Sequence, residues 1–348
     1  MLQPVCGFGF GVKNSICGVI RLCWRPYLDE EEDTVLQVLA ITAPLFLIMA
    51  IGYLCVRLEL LPVQGLSILG QYVVSIGLPA LLLGNLAQSD LAAAVDPFFL
   101  LAYGLGSLLA YILGLVVFRL FKGDVLSKSG LQALGVSFSN NAFIGFPLLL
   151  QVFAEPPTAA FGMAVLVENF LILPLALVLM SLGHAREEGQ NSSVTDIARS
   201  VVRRVVLHPV VISIVAGVLI SALKLPLPAF VYQSLDILGR TSAGVALVVI
   251  GGSLAGQHLG LGFIQGWKVI LGKLVGHPAM VFLMLMVFPV EDPALYTAAI
   301  LMAAVPMLSI FPIFAESVGL RVFAANTLVA TTVTSFFTIS VLLWLLGL

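Results

Sequence analysis

Residues 139–147 read SNNAFIGFP, and residues 305–312 read VPMLSIFP. Each stretch lies near the middle of an apolar segment that is long enough to cross a lipid bilayer. Proline removes one helix hydrogen bond, and glycine and asparagine favour backbone conformations that interrupt a helix. Because a backbone group that loses its helical partner in lipid needs another one, both stretches predict broken membrane helices.

The composition places the whole chain in the membrane. Of its 348 residues, 60% are hydrophobic and 10% are charged, and the mean hydropathy is +1.12. Apolar runs of about 20 residues are long enough to span a bilayer. Such runs predict about ten transmembrane helices, at residues 34–56, 65–87, 97–121, 129–153, 158–182, 206–223, 241–255, 262–288, 294–315 and 322–346.

The distribution of basic residues predicts the orientation. Arginine and lysine are concentrated in the loops that follow odd-numbered segments, whereas the loops after even-numbered segments contain only Lys224. Positively charged loops stay in the cytoplasm, so we expect both termini outside, with the lipid bilayer as the surroundings of the chain. The chain has no basic tract that would bind nucleic acid.

The longest polar loop divides the chain. Residues 183–205 separate a first five-helix repeat, at 34–182, from a second, at 206–348. An odd number of helices in each half forces the second half to enter the membrane in the opposite sense, which predicts a 5+5 inverted repeat. Residues 1–33 have neither a spanning run nor a signal-peptide core, and are interpreted as a disordered leader or a misassigned start.

The breaks supply the candidate substrate-binding residues. Asn140 and Asn141 lie near the centre of the fourth segment, and Ser309 lies in the ninth. A buried amide in hydrocarbon needs a hydrogen-bond partner, which is either another helix or a ligand. A broken helix also exposes a half-helix N-terminus that favours anions, so the breaks predict a carboxylate site without arginine or lysine.

Glu168 and Lys273 are candidates for proton coupling. Glu168 is in the middle of the fifth segment, where burial favours the protonated form and an acid is a functional hypothesis by default. A buried, hydrogen-bonded glutamic acid with only a structural role remains the alternative. Lys273 lies four residues before His277, on the same helix face, and we expect it to pair with an acid on another helix.

The sequence contains no enzyme motif. It has no H-E-x-x-H, phosphate-binding loop or C-x-x-C pattern, and its four histidines are scattered. We therefore expect neither catalysis nor a cofactor nor a metal site.

The chain resembles the auxin efflux carrier family, in particular its bacterial-type members. The resemblance rests on Asn140 followed by Gly145 and Pro147, and on the ninth-segment pattern that begins at Val305-Pro306. It implies the fold of the bile-acid symporters, with helices four and nine crossing at their prolines. It also implies that Asn140, Pro147 and Pro306 form the substrate site. Relatives of the plant type have proline at position 139 and glutamine at 168.

The resemblance implies a secondary active transporter of a small organic anion, a mono- or dicarboxylate such as malonate or malate. Alternating access would be driven by protons or by the membrane potential. One alternative is a sodium-coupled symporter of the bile-acid type, because the oxygens of Asn140, Asn141, Glu168 and Ser309 could contribute to a sodium site. Another alternative is a membrane sensor that binds the same ligand without moving it. A homodimer is left open.

Overall fold

The computed structural model describes residues 31–88, 95–121, 123–188, 203, 206–255 and 259–348. Within them the chain is helical, and strand-like pairing is confined to a single bridge between Ser139 and Met307. The prediction of an all-α integral membrane protein is confirmed. The predicted leader, at residues 1–33, lies outside the described residues except for its last three positions.

Ten helical segments follow one another in the described part of the chain, and the fourth and ninth are each divided in two. They are α1 (Glu31–Arg57), α2 (Val63–Gln88), α3 (97–121), α4a (Leu126–Ser137), α4b (Asn141–Val152), α5 (158–188), α6 (Pro209–Ala222), α7 (Ala229–Ser253), α8 (259–287), α9a (Pro293–Ala304), α9b (Phe311–Glu316) and α10 (Arg321–Leu346).

Each predicted segment corresponds to one of these helices. Seven of them are long and apolar enough to cross a membrane, and α4b, α6 and α9a are shorter apolar helices. Two boundaries differ from the prediction. Helix α7 begins at Ala229, because its polar first part is helical and carries the exposed i,i+4 ion pair of Asp236 and Arg240. Helix α5 continues to Glu188, into the predicted loop.

The packing repeats with an offset of five helices. Helix α1 packs on α7, and α6 packs in the same way on α2. Likewise α3 packs on α5 as α8 packs on α10, while α3 and α8 pack on each other. These pairs match the exchange of helices that an inverted repeat predicts, but the match is partial, since α1 also packs on α10 and α6 has no comparable contact with α5 among the described residues.

The two broken helices cross where their helical hydrogen bonds are missing. Helix α4a ends at Ser137, and Phe138 is extended, with φ −102° and ψ 123°. Beyond α9a, Val305 is extended as well. The backbone N–H of Asn140 donates to the carbonyl oxygen of Pro306 at 2.8 Å. The breaks thus satisfy each other's backbone groups in the interior of the protein, which is the condition for non-helical backbone at membrane depth.

Several helices contain a wider π-helical turn. In the described residues these turns are Val73–Gly77, Val117–Phe121, Asn141–Gly145, Glu168–Ile172 and Gly272–Gly276. Four of the five end two residues before a proline: Pro79, Pro147, Pro174 and Pro278. Because proline has no N–H and its ring crowds the preceding turn, the widened turn relieves the conflict without ending the helix. Three of these turns carry Asn141, Glu168 and Lys273.

Candidate functional site

Asn140 lies at the crossing of the two breaks and is only 4% exposed. Its N–H binds Pro306, and its carbonyl oxygen accepts the N–H groups of Ile144 and Gly145 at 2.9 and 3.1 Å. The backbone is therefore fully used. The side-chain Nδ2 is buried and has no hydrogen-bond partner. A buried donor without a partner costs about 1–3 kcal/mol, and this amide can donate a hydrogen bond to an acceptor that reaches it.

Glu168 lies at the start of its π turn in α5 and is 1% exposed. Its Oε1 accepts three hydrogen bonds, from the hydroxyl of Tyr103 at 3.0 Å, the backbone N–H of Ser139 at 3.0 Å and Nδ2 of Asn141 at 2.8 Å. An ionised carboxylate only accepts hydrogen bonds, so three donors at one oxygen match the ionised form.

Lys273 is fully buried in its π turn in α8. Its Nζ donates to Oγ of Ser139 at 2.6 Å and to the carbonyl oxygen of Ala303 at 3.0 Å, and lies 2.7 Å from Nδ1 of His277. An ammonium group has three N–H donors, so three acceptors match its charged form. The expectation that Lys273 pairs directly with an acid is not met among its described hydrogen bonds.

Ser139 instead connects the two buried charges. Its backbone N–H binds Glu168, and its hydroxyl accepts a hydrogen bond from Lys273. A proline at this position would offer neither group, which explains how serine fits this chain. Since Ser139 precedes Asn140 in the break, the charged pair and the unpaired amide are joined through one peptide bond.

Asn141 has a different role from its neighbour. Its Nδ2 donates both to Glu168 and to the hydroxyl of Tyr103, at 2.8 and 3.0 Å. Its Oδ1 is buried and unpaired. The sequence grouped the two asparagines together as substrate-binding residues. In the structure Nδ2 of Asn141 binds Glu168 and Tyr103, whereas Nδ2 of Asn140 has no hydrogen-bond partner.

The hydrogen bonds around Glu168 and Lys273 form a buried network, and three of its residues, Tyr103, Ser107 and His277, have no role predicted from the sequence. Tyr103 and Ser107 lie four apart on α3, and Oγ of Ser107 is 2.9 Å from Nε2 of His277. The ring of Tyr103 also packs edge-on against His277, with ring centroids 6.0 Å apart. The i,i+4 spacing places Tyr103 and Ser107 on one face of α3, but buried tyrosine and serine are also ordinary packing residues in membrane helices.

The remaining predicted site residues lie around the crossing. Pro306 supplies the carbonyl oxygen that binds Asn140, and Pro147 is a buried residue of α4b. Ser309 is half-buried in the turn before α9b. The first N–H groups of α4b have no partner within the helix, so its positive dipole end lies at the break. Helix α9b has only six residues and contributes a weaker dipole.

Two further ion pairs are surface features. Arg240 binds Asp236, and Arg321 lies 3.3 Å from Glu316 at the start of α10. All four side chains are more than half exposed. Within the described residues, no group of three or more histidine, cysteine or acidic side chains could hold a metal ion.

The chain is similar to known proteins over nearly all of its helical region. A family model described as "Membrane transport protein" matches residues 38–345. The chain is also similar to a protein of Rhizobium meliloti (strain 1021) named "Putative malonate transporter". The two are 23% identical over 311 residues, which cover 89% of this chain and 96% of that protein. The family match includes both breaks and every residue of the buried network.

Proposed function

Because the chain belongs to the membrane transport protein family, the family of the auxin efflux carriers, we propose that it is a secondary active transporter of a small organic anion. The substrate binds at the crossing of α4 and α9, and alternating access moves it across the bilayer. The proposed carrier sits in a bacterial inner membrane with both termini outside. Its halves are two repeats, residues 34–182 and 206–348, joined by a cytoplasmic loop at 183–205.

The observation that carries the proposal is the unpaired amide of Asn140. Its Nδ2 is a buried donor at the point where two broken helices meet. Such crossings near the bilayer midplane are where transporters built from inverted repeats hold their substrates. A substrate carboxylate would accept the hydrogen bond that Asn140 lacks and would lie near the positive end of α4b.

The proposed substrate is a mono- or dicarboxylate such as malonate or malate. Neither break contains arginine or lysine, so the anion is held by neutral donors and by a helix end. Neutral donors bind a carboxylate without the strong attraction that would hinder its release. The name of the relative from Rhizobium meliloti favours malonate as the first compound to test.

Glu168 is the proposed proton carrier, and Lys273 is its counter-charge. Protonation of Glu168 removes the negative charge of the carboxylate, and a hydrogen bond to a neutral acceptor is weaker than one to an ionised acceptor. Protonation therefore weakens the bond from the N–H of Ser139. Because Ser139 adjoins Asn140, the protonation of Glu168 and the position of the substrate donor are linked. This link gives a physical route from a proton gradient to substrate transport.

Substitution of Asn140 tests the proposed site. In the Asn140→Ala variant we expect malonate affinity to fall roughly tenfold to a hundredfold, because a hydrogen bond to a charged group contributes about 1.5–3 kcal/mol. Affinity is measured by isothermal titration calorimetry on purified protein. If the wild type binds another organic anion instead of malonate, the same experiment is carried out with that compound.

Asn169→Ala is the matched control. Asn169 is half-buried, follows Glu168 in α5 and donates a hydrogen bond from its Nδ2 to the carbonyl oxygen of Val165 in its own helix, at 2.9 Å. Its loss should leave anion affinity unchanged. Equal affinities in Asn140→Ala and wild type would remove Asn140 from the site.

A further inference from the structure

The surroundings of Lys273 have the composition of a monovalent-cation site. The ammonium lies against the hydroxyl of Ser139 in one break and the carbonyl oxygen of Ala303 in the last turn of α9a. The last carbonyls of a helix have no partner within it, and they form the negative end of its dipole. Helix ends and unwound backbone of this kind coordinate sodium ions in transporters with broken helices.

The negative charge of the nearby Glu168 also favours a cation at this position. Glu168 of α5 is on the other side of Ser139, and the titratable side chains that join the network from α3 and α8 are Tyr103 and His277. Within the described residues, the cation of this cluster is Lys273, and its side chain is fully buried. Removing its ammonium would leave an ionised Glu168 without a counter-charge, which is costly inside a membrane protein.

We propose that the Lys273 ammonium occupies a monovalent-cation site between Ser139, Ala303 and His277, and that this covalently held charge replaces a mobile sodium ion. The wild-type protein then binds no sodium at the crossing. A variant that lacks the ammonium but retains the acceptors and Glu168 binds sodium there. This inference rests on the proposed function only where it concerns transport, since ion binding is measured without a substrate.

The test is a melting experiment on purified protein at constant pH. Sodium chloride is exchanged for choline chloride at constant ionic strength. The wild type should melt at the same temperature in both salts. Lys273→Ala should melt lower than wild type in choline, and sodium should raise its melting temperature along a saturating curve, by about 2 °C at tenfold above the dissociation constant.

Two control variants separate the ion site from general salt effects. Lys273→Met keeps a long side chain in the same space without a charge, so it should show no response to sodium. The double variant Lys273→Ala with Glu168→Gln removes the uncompensated acid and should also be insensitive. If Lys273→Ala does not yield folded protein, Lys273→Ser is used, since a serine hydroxyl can hydrogen-bond to a carbonyl oxygen one turn earlier in its own helix.

The outcomes are distinct. A sodium-dependent rise in the wild type, or no sodium response in a folded Lys273→Ala or Lys273→Ser variant, overturns the inference. Wild-type anion uptake into liposomes should be equal in sodium and choline, and a requirement for sodium would also overturn it. If the wild type moves no anion at all, the proposed function fails while the melting experiment still tests the ion site.

Discussion

Single residues divide the crossing into a part with two buried charged side chains and a part with an unpaired hydrogen-bond donor. Glu168 and Lys273 each have hydrogen bonds that match their ionised forms, and Ser139 touches both. Asn140, one residue further along the chain, retains a buried donor without a partner. The proposed substrate binding and the proposed proton movement therefore involve different side chains around the same short break, and the two proposals can be tested separately.

Glu168→Gln tests the charge movement. Glutamine retains the shape of the side chain and an oxygen that accepts from Tyr103, Ser139 and Asn141, but it cannot release a proton. Net malonate transport driven by a pH gradient should therefore collapse in proteoliposomes, while malonate binding survives. Exchange of labelled for unlabelled malonate should also survive, because the loaded carrier moves in both directions and the exchange needs no net transport of protons.

The control for this variant is Glu187→Gln, on the same helix. Glu187 is near the end of α5 and accepts a hydrogen bond from Ser127 at 2.7 Å, away from the crossing. It should leave net flux unchanged. Near-normal net flux driven by pH in Glu168→Gln would remove Glu168 from coupling and leave it as a buried hydrogen-bonding residue.

Among the elements, helices of the two halves approach closely at glycines. In α7, a Cβ atom at Gly251 would overlap the backbone carbonyl of Met49 in α1. At Gly244, in the same helix, a Cβ atom would meet nothing within 4 Å. The two positions thus distinguish a glycine needed for helix packing from one that is not.

Gly251→Ala and Gly244→Ala form a matched pair. The first should lower the melting temperature of purified protein, because α1 and α7 must move apart to accept the added carbon. The second should leave it unchanged or raise it slightly, since alanine is favoured over glycine in a helix by about 1 kcal/mol. Equal effects of the two substitutions would contradict the close packing of α1 on α7.

The sequence predicts elements better than it predicts the site. Hydrophobic length gives the ten helices, and Pro147 and Pro306 mark the two breaks. Pro174 and Pro278 also mark the π turns that carry Glu168 and Lys273, although prolines alone are not sufficient, since Pro44 lies in α1 without such a turn. The site depends on tertiary pairing: Ser107 and His277 are 170 residues apart, and no local pattern indicates that they meet.

For the whole molecule, ten membrane crossings would place successive loops on alternate sides of the membrane. The distribution of arginine and lysine predicts that loops after odd-numbered helices are cytoplasmic. Ser317, which follows α9b, and Glu291, which follows α8, are both exposed. They should therefore face opposite sides of the membrane.

Cysteine labelling tests this orientation. In a background where the four native cysteines are replaced by serine, a cysteine substituted for Glu291 should react with an impermeant maleimide in intact cells. A cysteine substituted for Ser317 should react only after the cells are opened. Labelling of both in intact cells, or the reverse pattern, would overturn the proposed orientation and with it the external position of the termini.

Counterflow in proteoliposomes tests most directly whether the crossing moves a small carboxylate, since it needs no assumption about the coupling ion or the direction of transport. Vesicles that contain purified protein and unlabelled malonate are diluted into a trace of labelled malonate. We predict transient accumulation of label that is lost in vesicles without protein and strongly reduced in Asn140→Ala but not in Asn169→Ala. Saturable malonate binding without any accumulation of label would contradict transport and favour a membrane sensor.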